Sequence, residues 1–446
     1  MTTAMRLALC LVLCLLTWAA NAAQPEALRA GLSLLVLIGS LWVTQALPLA
    51  VTALAVPLLA VLAGLQSPRQ ALVAFANPVI FLFLGGFALA AALTRHELDR
   101  ALAGMVLRLA RGQRLAAVLW MAGITAVLSM WMSNTATAAM MLPLALGLLR
   151  SDAGGPAPGP REQAFVLLAM AYSASIGGIG TLVGSPPNAM AAAQAGIGFA
   201  QWLGLALPMV ALLWPLMLAV LALVLRPRLR GQVPAAAERL VWTRPRVLTL
   251  AIFALTVAAW MGSAPLGRAL GVATDMDTVV ALAAIVLLVA SGVLSWREVE
   301  QPTQWGVLLL FGGGIALGEV ITGSGTSRYL AEALMGQLQG APPVLLVAGL
   351  VAFIVLLSEV MSNTACAALL LPMVMPMAAV MGLSPVAVAT LVALAASCAF
   401  MLPVGTPPNA IVFATEQVPQ ATMMRCGLWL NLVSIALITA MAMWAW

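Results

Sequence analysis

Two short polar strings stand out in this chain because each occurs twice. Ser129 to Pro143 reads SMWMSNTATAAMMLP and Ser358 to Pro372 reads SEVMSNTACAALLLP, identical at ten of fifteen positions. Downstream, Val183-Gly184-Ser185-Pro186-Pro187-Asn188-Ala189 is matched by Val404-Gly405-Thr406-Pro407-Pro408-Asn409-Ala410. Upstream, Leu84-Gly85-Gly86-Phe87-Ala88-Leu89 is matched by Gly312-Gly313-Gly314-Ile315-Ala316-Leu317, so the order is the same in both halves. The chemistry on offer is coordination rather than bond-making. Ser133-Asn134-Thr135 and Ser362-Asn363-Thr364 are N-capping residue types placed before Ala-rich runs, and their side-chain oxygens also suit a hard cation. In Gly184-Ser185-Pro186-Pro187 and Gly405-Thr406-Pro407-Pro408, glycine permits unusual backbone angles while the prolines cannot donate the bonds of a continuous helix. Each string therefore predicts a helix break followed by a new half-helix with proline at its first position. Four half-helix N-termini would then converge, attracting an anion through free N–H groups and helix dipoles, while preceding carbonyls and Ser/Thr/Asn oxygens attract a cation. No arginine falls in these motifs and the chain has no lysine, so dipoles and co-bound cations would have to neutralise a bound carboxylate. That is a physical reason for cation coupling. A lone Ser-Asn-Thr is usually interhelical hydrogen-bond glue and a lone Pro-Pro a kink; the duplication in matched order favours a site.

The elements that must carry these residues are membrane helices. The 446 residues are 63% hydrophobic and 8% charged, far from a soluble domain. Apolar runs predict spans near 7–22, 31–46, 48–65, 78–94, 164–197, 203–225, 247–266, 277–295, 304–322, 385–416 and 427–446, about eleven in all, each able to cross a hydrocarbon core of about 30 Å. The segments 115–149 and 343–377 are apolar but broken by Ser-Asn-Thr, and are expected to be re-entrant hairpins. The organisation is one membrane domain: N-terminal helices over 1–77, a first repeat core over 78–225, a basic cytoplasmic linker over 226–246 and a second repeat over 247–446. Unwound backbone is tolerated at membrane depth only where protein buries it or water reaches it, so the breaks mark the site.

The basic residues are all arginine, and the net charge of +6 invites a nucleic-acid reading. Their placement opposes it: with the N-terminus inside, sixteen fall in cytoplasmic segments and four, Arg29, Arg69, Arg268 and Arg328, outside. The same topology places an odd number of crossings between the two hairpins, so the halves are inverted. Inverted repeats with interrupted helices are how secondary transporters build a midplane site. The expected location is a bacterial inner membrane, multi-pass. Arg6, the apolar run to Ala20 and the following small residues resemble a signal peptide, but an uncleaved first helix is the expected form.

The remaining candidates carry less. Cys10, Cys14, Cys366, Cys398 and Cys426 lack metal or disulfide spacing and are expected to be free thiols. Glu319 and Glu359 lie in or near membrane segments, where carboxylates are functional candidates by default, proton relays included. Ala91 and Met130 stand at their matched positions, so a helix end or cavity wall is their expected home. His96 is expected to be a solvated loop residue, and Trp42 to Pro48 marks the break between the second and third helices. A membrane enzyme would need a nucleophile, base or metal constellation that is not seen. A cation/proton antiporter or oxyanion permease would be expected to use a buried core carboxylate, absent from the Ser-Asn-Thr and Pro-Pro-Asn motifs themselves, and a channel suits paired hairpins less well than alternating access.

The paired Ser-Asn-Thr and Pro-Pro-Asn motifs, with the segment Ser397 to Val412 (SCAFMLPVGTPPNAIV), resemble the divalent anion:sodium symporter family over essentially the whole chain. The resemblance implies sodium-coupled transport of dicarboxylates, citrate or sulfate, with C4-dicarboxylates such as succinate favoured here and sodium-independent exchange or oxyanion carriage the alternatives. It implies a homodimer whose protomers have a scaffold domain and a sliding, elevator-type transport domain. It also implies about two sodium sites: one mapping onto Ser129, Ser133, Asn134 and Gly184, the other onto Ser358, Met361 (through its carbonyl), Asn363 and Gly405. Substrate carboxylates would contact Ser133, Asn134, Thr135, Ser362, Asn363 and Thr364, with Ser185, Pro186, Thr406 and Pro407 from the breaks. Gln45, where many relatives have glutamate, departs from the pattern at a position expected to concern the scaffold.

Overall fold

A computed structural model describes residues 2–98, 108–149, 158–229, 241–337, 342–378 and 381–444, and within them the chain is helical with no strand. Arg100, Arg150, Arg230 and Arg239, used in the topology argument, lie outside these residues. The first half runs through α1 (Thr3–Ala20), α2 (Glu26–Thr44), α3 (Leu49–Leu62), α4 (Pro68–Val73), α5 (Pro78–Arg95), α6 (Arg114–Ser129), α7 (Asn134–Leu148), α8 (Pro160–Gly178), α9 (Pro186–Ala195) and α10 (Phe199–Leu225). The second runs through α11 (Arg244–Met261), α12 (Ser263–Leu270), α13 (Met276–Ala290), α14 (Trp296–Glu300), α15 (Trp305–Gly323), α16 (Thr326–Gln337), α17 (Pro343–Ser358), α18 (Asn363–Val374), α19 (Pro385–Ala396), α20 (Pro407–Phe413) and α21 (Gln420–Trp444).

Seven helical segments are long and apolar enough to span a membrane, and several more are apolar but shorter. Two expected spans, 164–197 and 385–416, are each a pair of helices separated by irregular backbone at the Pro-Pro motif. Two others, 48–65 and 277–295, contract to helices of 14 and 15 residues. At 1.5 Å per residue such helices reach about 21–23 Å, short of the hydrocarbon thickness. Local chemistry ends the first of them: Pro48 precedes it, Gln45 turns left-handed at φ 48°, and the buried Trp42 donates its indole N–H to the Leu49 carbonyl. Sequence hydropathy gave no warning of α12 or α16.

The core is an interlock of the two motif sets. α6 and α7 pair, as do α17 and α18, and α8 packs between α6, α7 and α10. α8 is buried without interruption from Ala164 to Gly178, including Tyr172, Ser173 and Ser175, as befits a helix with no lipid-facing side. α9 crosses to pack on α18 and α19, while α20 returns to pack on α7 and α8. Small residues permit these approaches: a Cβ on Gly177 would lie 2.1 Å from the Ala126 carbonyl oxygen, and one on Gly427 2.2 Å from that of Phe400. The upstream glycine strings do the same work, Gly85 facing Ala281 of α13 and Gly313 facing Ala53 of α3.

Polar contacts sort the loops onto two faces. On one, Arg95 pairs with Glu298 at 2.6 Å, Arg246 with Glu97 at 3.1 Å, and Arg6 bonds the Thr44 carbonyl. His96 belongs here but is not freely solvated: it is half-buried, 3.0 Å through Nε2 from the Val293 carbonyl, because its loop docks on the one after α13. On the other face Arg29 lies over Trp18 and Asp277 accepts the Phe199 N–H at 2.6 Å.

Candidate functional site

The first hairpin tip folds as its residue types predict. Ser133 is the N-cap of α7 and its Oγ accepts the Ala136 N–H at 3.3 Å. Ser129, fully buried, sits with its Oγ 2.8 Å from Asn134 Oδ1 and 2.6 Å from the Ala174 carbonyl. Thr181 in the first break donates its hydroxyl to the Met130 carbonyl and accepts the Gly184 N–H at 3.2 Å. Only a residue without a side chain fits at 184, where a Cβ would meet the carbonyl oxygens of Gly178 at 2.6 Å and Ser129 at 3.0 Å. A Cβ on Gly178 would meet Asn134 Oδ1 at 2.1 Å. Ser129, Asn134 and Gly184, three of the four residues assigned to the first cation position, thus meet in a small cluster of oxygens; Ser133 adjoins Asn134 at the tip.

The second tip has the same course with different bonds. Ser362 is the N-cap of α18 but makes no capping bond through its side chain, and the buried Ser358 Oγ turns back to the Val355 carbonyl at 2.9 Å. Met361 is 1% exposed, and Asn363 Oδ1 is buried without a hydrogen-bond partner. An orphaned amide oxygen beside an unwound helix end suits a cation as partner. Thr406 caps α20, its Oγ1 accepting the Asn409 N–H at 3.4 Å, whereas Ser185 at the start of α9 makes no such bond. Pro186 and Pro407 hold the first helical position in both.

Sequence reasoning quoted but did not assign the asparagine of each Pro-Pro-Asn motif. Asn188 donates its side-chain amide to the carbonyls of Gly178 at 2.8 Å and Thr181 at 2.7 Å. Asn409 donates to the equivalent carbonyls of Ala399 and Leu402, both at 3.1 Å. Each thus bridges its break by satisfying carbonyls that the interrupted helix leaves open. The signal was present in the repetition of the residue.

All ten residues expected to contact substrate line one cavity of about 490 Å³: Ser133, Asn134, Thr135, Ser185 and Pro186 from the first half, Ser362, Asn363, Thr364, Thr406 and Pro407 from the second. Gly184 and Gly405 also line it, while Ser129, Ser358 and Met361 are buried away from its wall. Larger cavities lie elsewhere, one beside Asp277 and one beside Glu319, and neither holds a motif residue. The opposite wall is Phe83 and Phe87 of α5, Val307 of α15, and two amides, Gln45 and Gln304. Gln45 is therefore a cavity residue rather than a remote scaffold position. None of the described lining residues is charged, so helix ends, hydroxyls and amides set the electrostatic character of the cavity wall.

Comparison with known proteins places the chain among transporters. A family model described as citrate transporter matches residues 40–389 and 343–446. An uncharacterised transporter of Haemophilus influenzae is 45% identical over 435 residues, 95% of this chain and 93% of that one. An uncharacterised transporter of Methanocaldococcus jannaschii is 37% identical over 409 residues, 92% of each chain. The sodium-dependent dicarboxylate transporter SdcS of Staphylococcus saprophyticus is 31% identical over 432 residues, 90% of this chain and 83% of that one. Among solved structures the Alcanivorax borkumensis YdaH transporter superposes with a TM-score of 0.56 at 18% identity, covering 84% of this chain and 87% of that chain, a likeness of fold. The chain is a membrane transporter, not an enzyme, and belongs to the citrate transporter family.

Proposed function

We propose that this transporter carries small divalent anions, C4-dicarboxylates such as succinate foremost, in symport with sodium. The observation that carries the reading is the single cavity onto which four duplicated motifs converge, rich in donors and without a basic lining residue. Two sodium ions held at the hairpin tips, one by Ser129, Ser133, Asn134 and Gly184, the other by Ser358, Met361, Asn363 and Gly405, offset the charge of the dianion. Substrate carboxylates take hydrogen bonds from the tip residues and from the first turns of the helices that follow each break. The sodium dependence of the SdcS relative supports the coupling. The two halves, 78–225 and 247–446, are inverted repeats in an inner-membrane homodimer, the N-terminus is cytoplasmic, and the motif-bearing helices slide against the rest as an elevator.

The test is uptake of radiolabelled succinate into proteoliposomes under inward sodium, potassium and proton gradients, with Asn134→Ala and Asn363→Ala alongside. Uptake is expected to require sodium and to fall to background in both variants. Uptake indifferent to every gradient but accelerated by internal dicarboxylate would instead identify an exchanger.

A further inference from the structure

The two breaks differ in length, and the difference is filled by a carboxylate. Aligning Val183-Gly184 on Val404-Gly405 places Gly178 opposite Ala399, yet α8 runs to Gly178 whereas α19 has already ended at Ala396. In the first half the last turn supplies acceptors: the Ile179 N–H bonds the Ile176 carbonyl at 3.2 Å and the Gly180 N–H that of Gly177 at 2.9 Å. In the second half the matching donors turn to Glu359. Its Oε1 accepts the N–H groups of Phe400 and Met401, each at 2.8 Å, and its Oε2 that of Leu402 at 2.9 Å. A fourth donor, Asn431 Nδ2 of α21, reaches Oε1 at 2.7 Å.

Glu359 is 3% exposed, immediately precedes the second tip, and occupies the position that Met130 holds in the first, where the Met130 thioether end rests 3.0 Å from a Cβ on Gly180. Among the described residues its hydrogen-bond partners are all neutral donors, and a buried carboxylate so satisfied leaves its charge to be compensated by something nearby. The nearest assigned feature is the second cation position: a Cβ on Gly405 would lie 3.1 Å from Glu359 Oε2.

We propose that Glu359 is the positioning residue of the second cation site, replacing one helical turn with a carboxylate that both fixes the Ala399–Gly405 backbone and supplies a negative charge the first site lacks. The two sodium sites are then inequivalent, the second binding more tightly. The proposal rests on the sodium-coupled reading above.

The experiment measures, in proteoliposomes of the full chain, the sodium concentration giving half-maximal succinate uptake and the succinate KM at saturating sodium, for wild type, Glu359→Gln, Glu359→Asp and Asn431→Ala. An amide offers one acceptor oxygen and no charge, so Glu359→Gln is expected to raise the half-maximal sodium concentration at least about tenfold, the scale of one charged hydrogen bond. Succinate KM at saturating sodium stays within about twofold, and Glu359→Asp recovers part of the sodium affinity. Asn431→Ala, which loosens the carboxylate from outside the site, shifts sodium the same way by less and carries the test should the glutamine variant fail to fold. A purely structural role would lower the maximal rate of all variants without moving the sodium midpoint, and that result overturns the proposal. A wild type indifferent to sodium would overturn the symport reading along with it.

Discussion

Gln45 and Gln304 lie outside every duplicated motif, at the ends of α2 and α15, yet both line the cavity with the tip and break residues. Their amides can donate to an anion without adding charge to a cavity that has none. A carboxylate at position 45, exposed at the cavity mouth, would repel a dianion through screening water, so Gln45→Glu is expected to raise the succinate KM about threefold at neutral pH. The defect should ease as pH falls towards the carboxyl range, because protonation removes the new charge while Gln45→Ala, which loses only a donor, shows a smaller and pH-flat change. Initial uptake rates against succinate concentration between about pH 4.5 and 8, each taken relative to wild type at the same pH, check this; equal behaviour of the two variants would remove Gln45 from the site. The staple asparagines make a second residue-scale claim. Asn188→Ala strips an amide from three carbonyls, those of Gly178, Ile179 and Thr181, and Asn409→Ala strips one from two. Each unsatisfied buried acceptor costs about 1–3 kcal/mol, so both variants should show lowered thermal transitions in detergent, Asn188→Ala the more.

Elements are held at their ends here as much as along their faces. Ser295 caps α14 with a capping box in which Glu298 reaches back to the Ser295 N–H, and the same carboxylate meets Arg95 at the end of α5. The Ser295 backbone bond first, then Arg95, lower the Glu298 pKa to about 2. A depressed carboxylate stabilises the folded form above its unfolded pKa near about 4.3 and loses that contribution as pH falls towards 2. Glu298→Gln should therefore lower the melting temperature by about a degree or two at pH 7, and by progressively less below about pH 4, in a detergent melt compared with wild type. This tether was not legible in the sequence, since nothing there pairs residues about two hundred positions apart. Helix breaks were legible because proline and glycine act locally; the ten cavity residues lie in or beside duplicated motifs, and their selection as substrate contacts came from the family resemblance. The shortening of α3 and α13 was not, because hydropathy registers apolar residues past a helix end as readily as within it. Glu359 was noticed as a carboxylate in or near a membrane segment, with a helix end or cavity wall expected, but its role depends on where α19 stops, a tertiary fact.

At the scale of the molecule, the cavity has one wall of motif residues and another of α2, α5 and α15, and it reaches the ends of α2 and α15 where Gln45 and Gln304 are exposed. Those ends share a face with Arg6, Arg95 and Arg246, the face that arginine placement assigns to the cytoplasm. With the proposed cytoplasmic N-terminus the structure would be the inward-open half of a cycle, and the proposed symport requires a second arrangement in which the same motif wall meets the opposite solution. If the motif-bearing helices slide as a body, Thr364 changes sides while Gln304, at the foot of α15, does not. On a background with the five native cysteines replaced, Thr364→Cys should react with a membrane-impermeant thiol reagent in both inside-out and right-side-out vesicles, and Gln304→Cys in inside-out vesicles alone. Saturating sodium with succinate should change the rate at Thr364→Cys by severalfold, as expected when ligands redistribute two conformations they bind unequally, and leave Gln304→Cys nearly constant. Labelling of Thr364→Cys from one side only, with or without ligands, would mean that the wall does not move, and the elevator would have to be abandoned in favour of a gate at the cavity mouth.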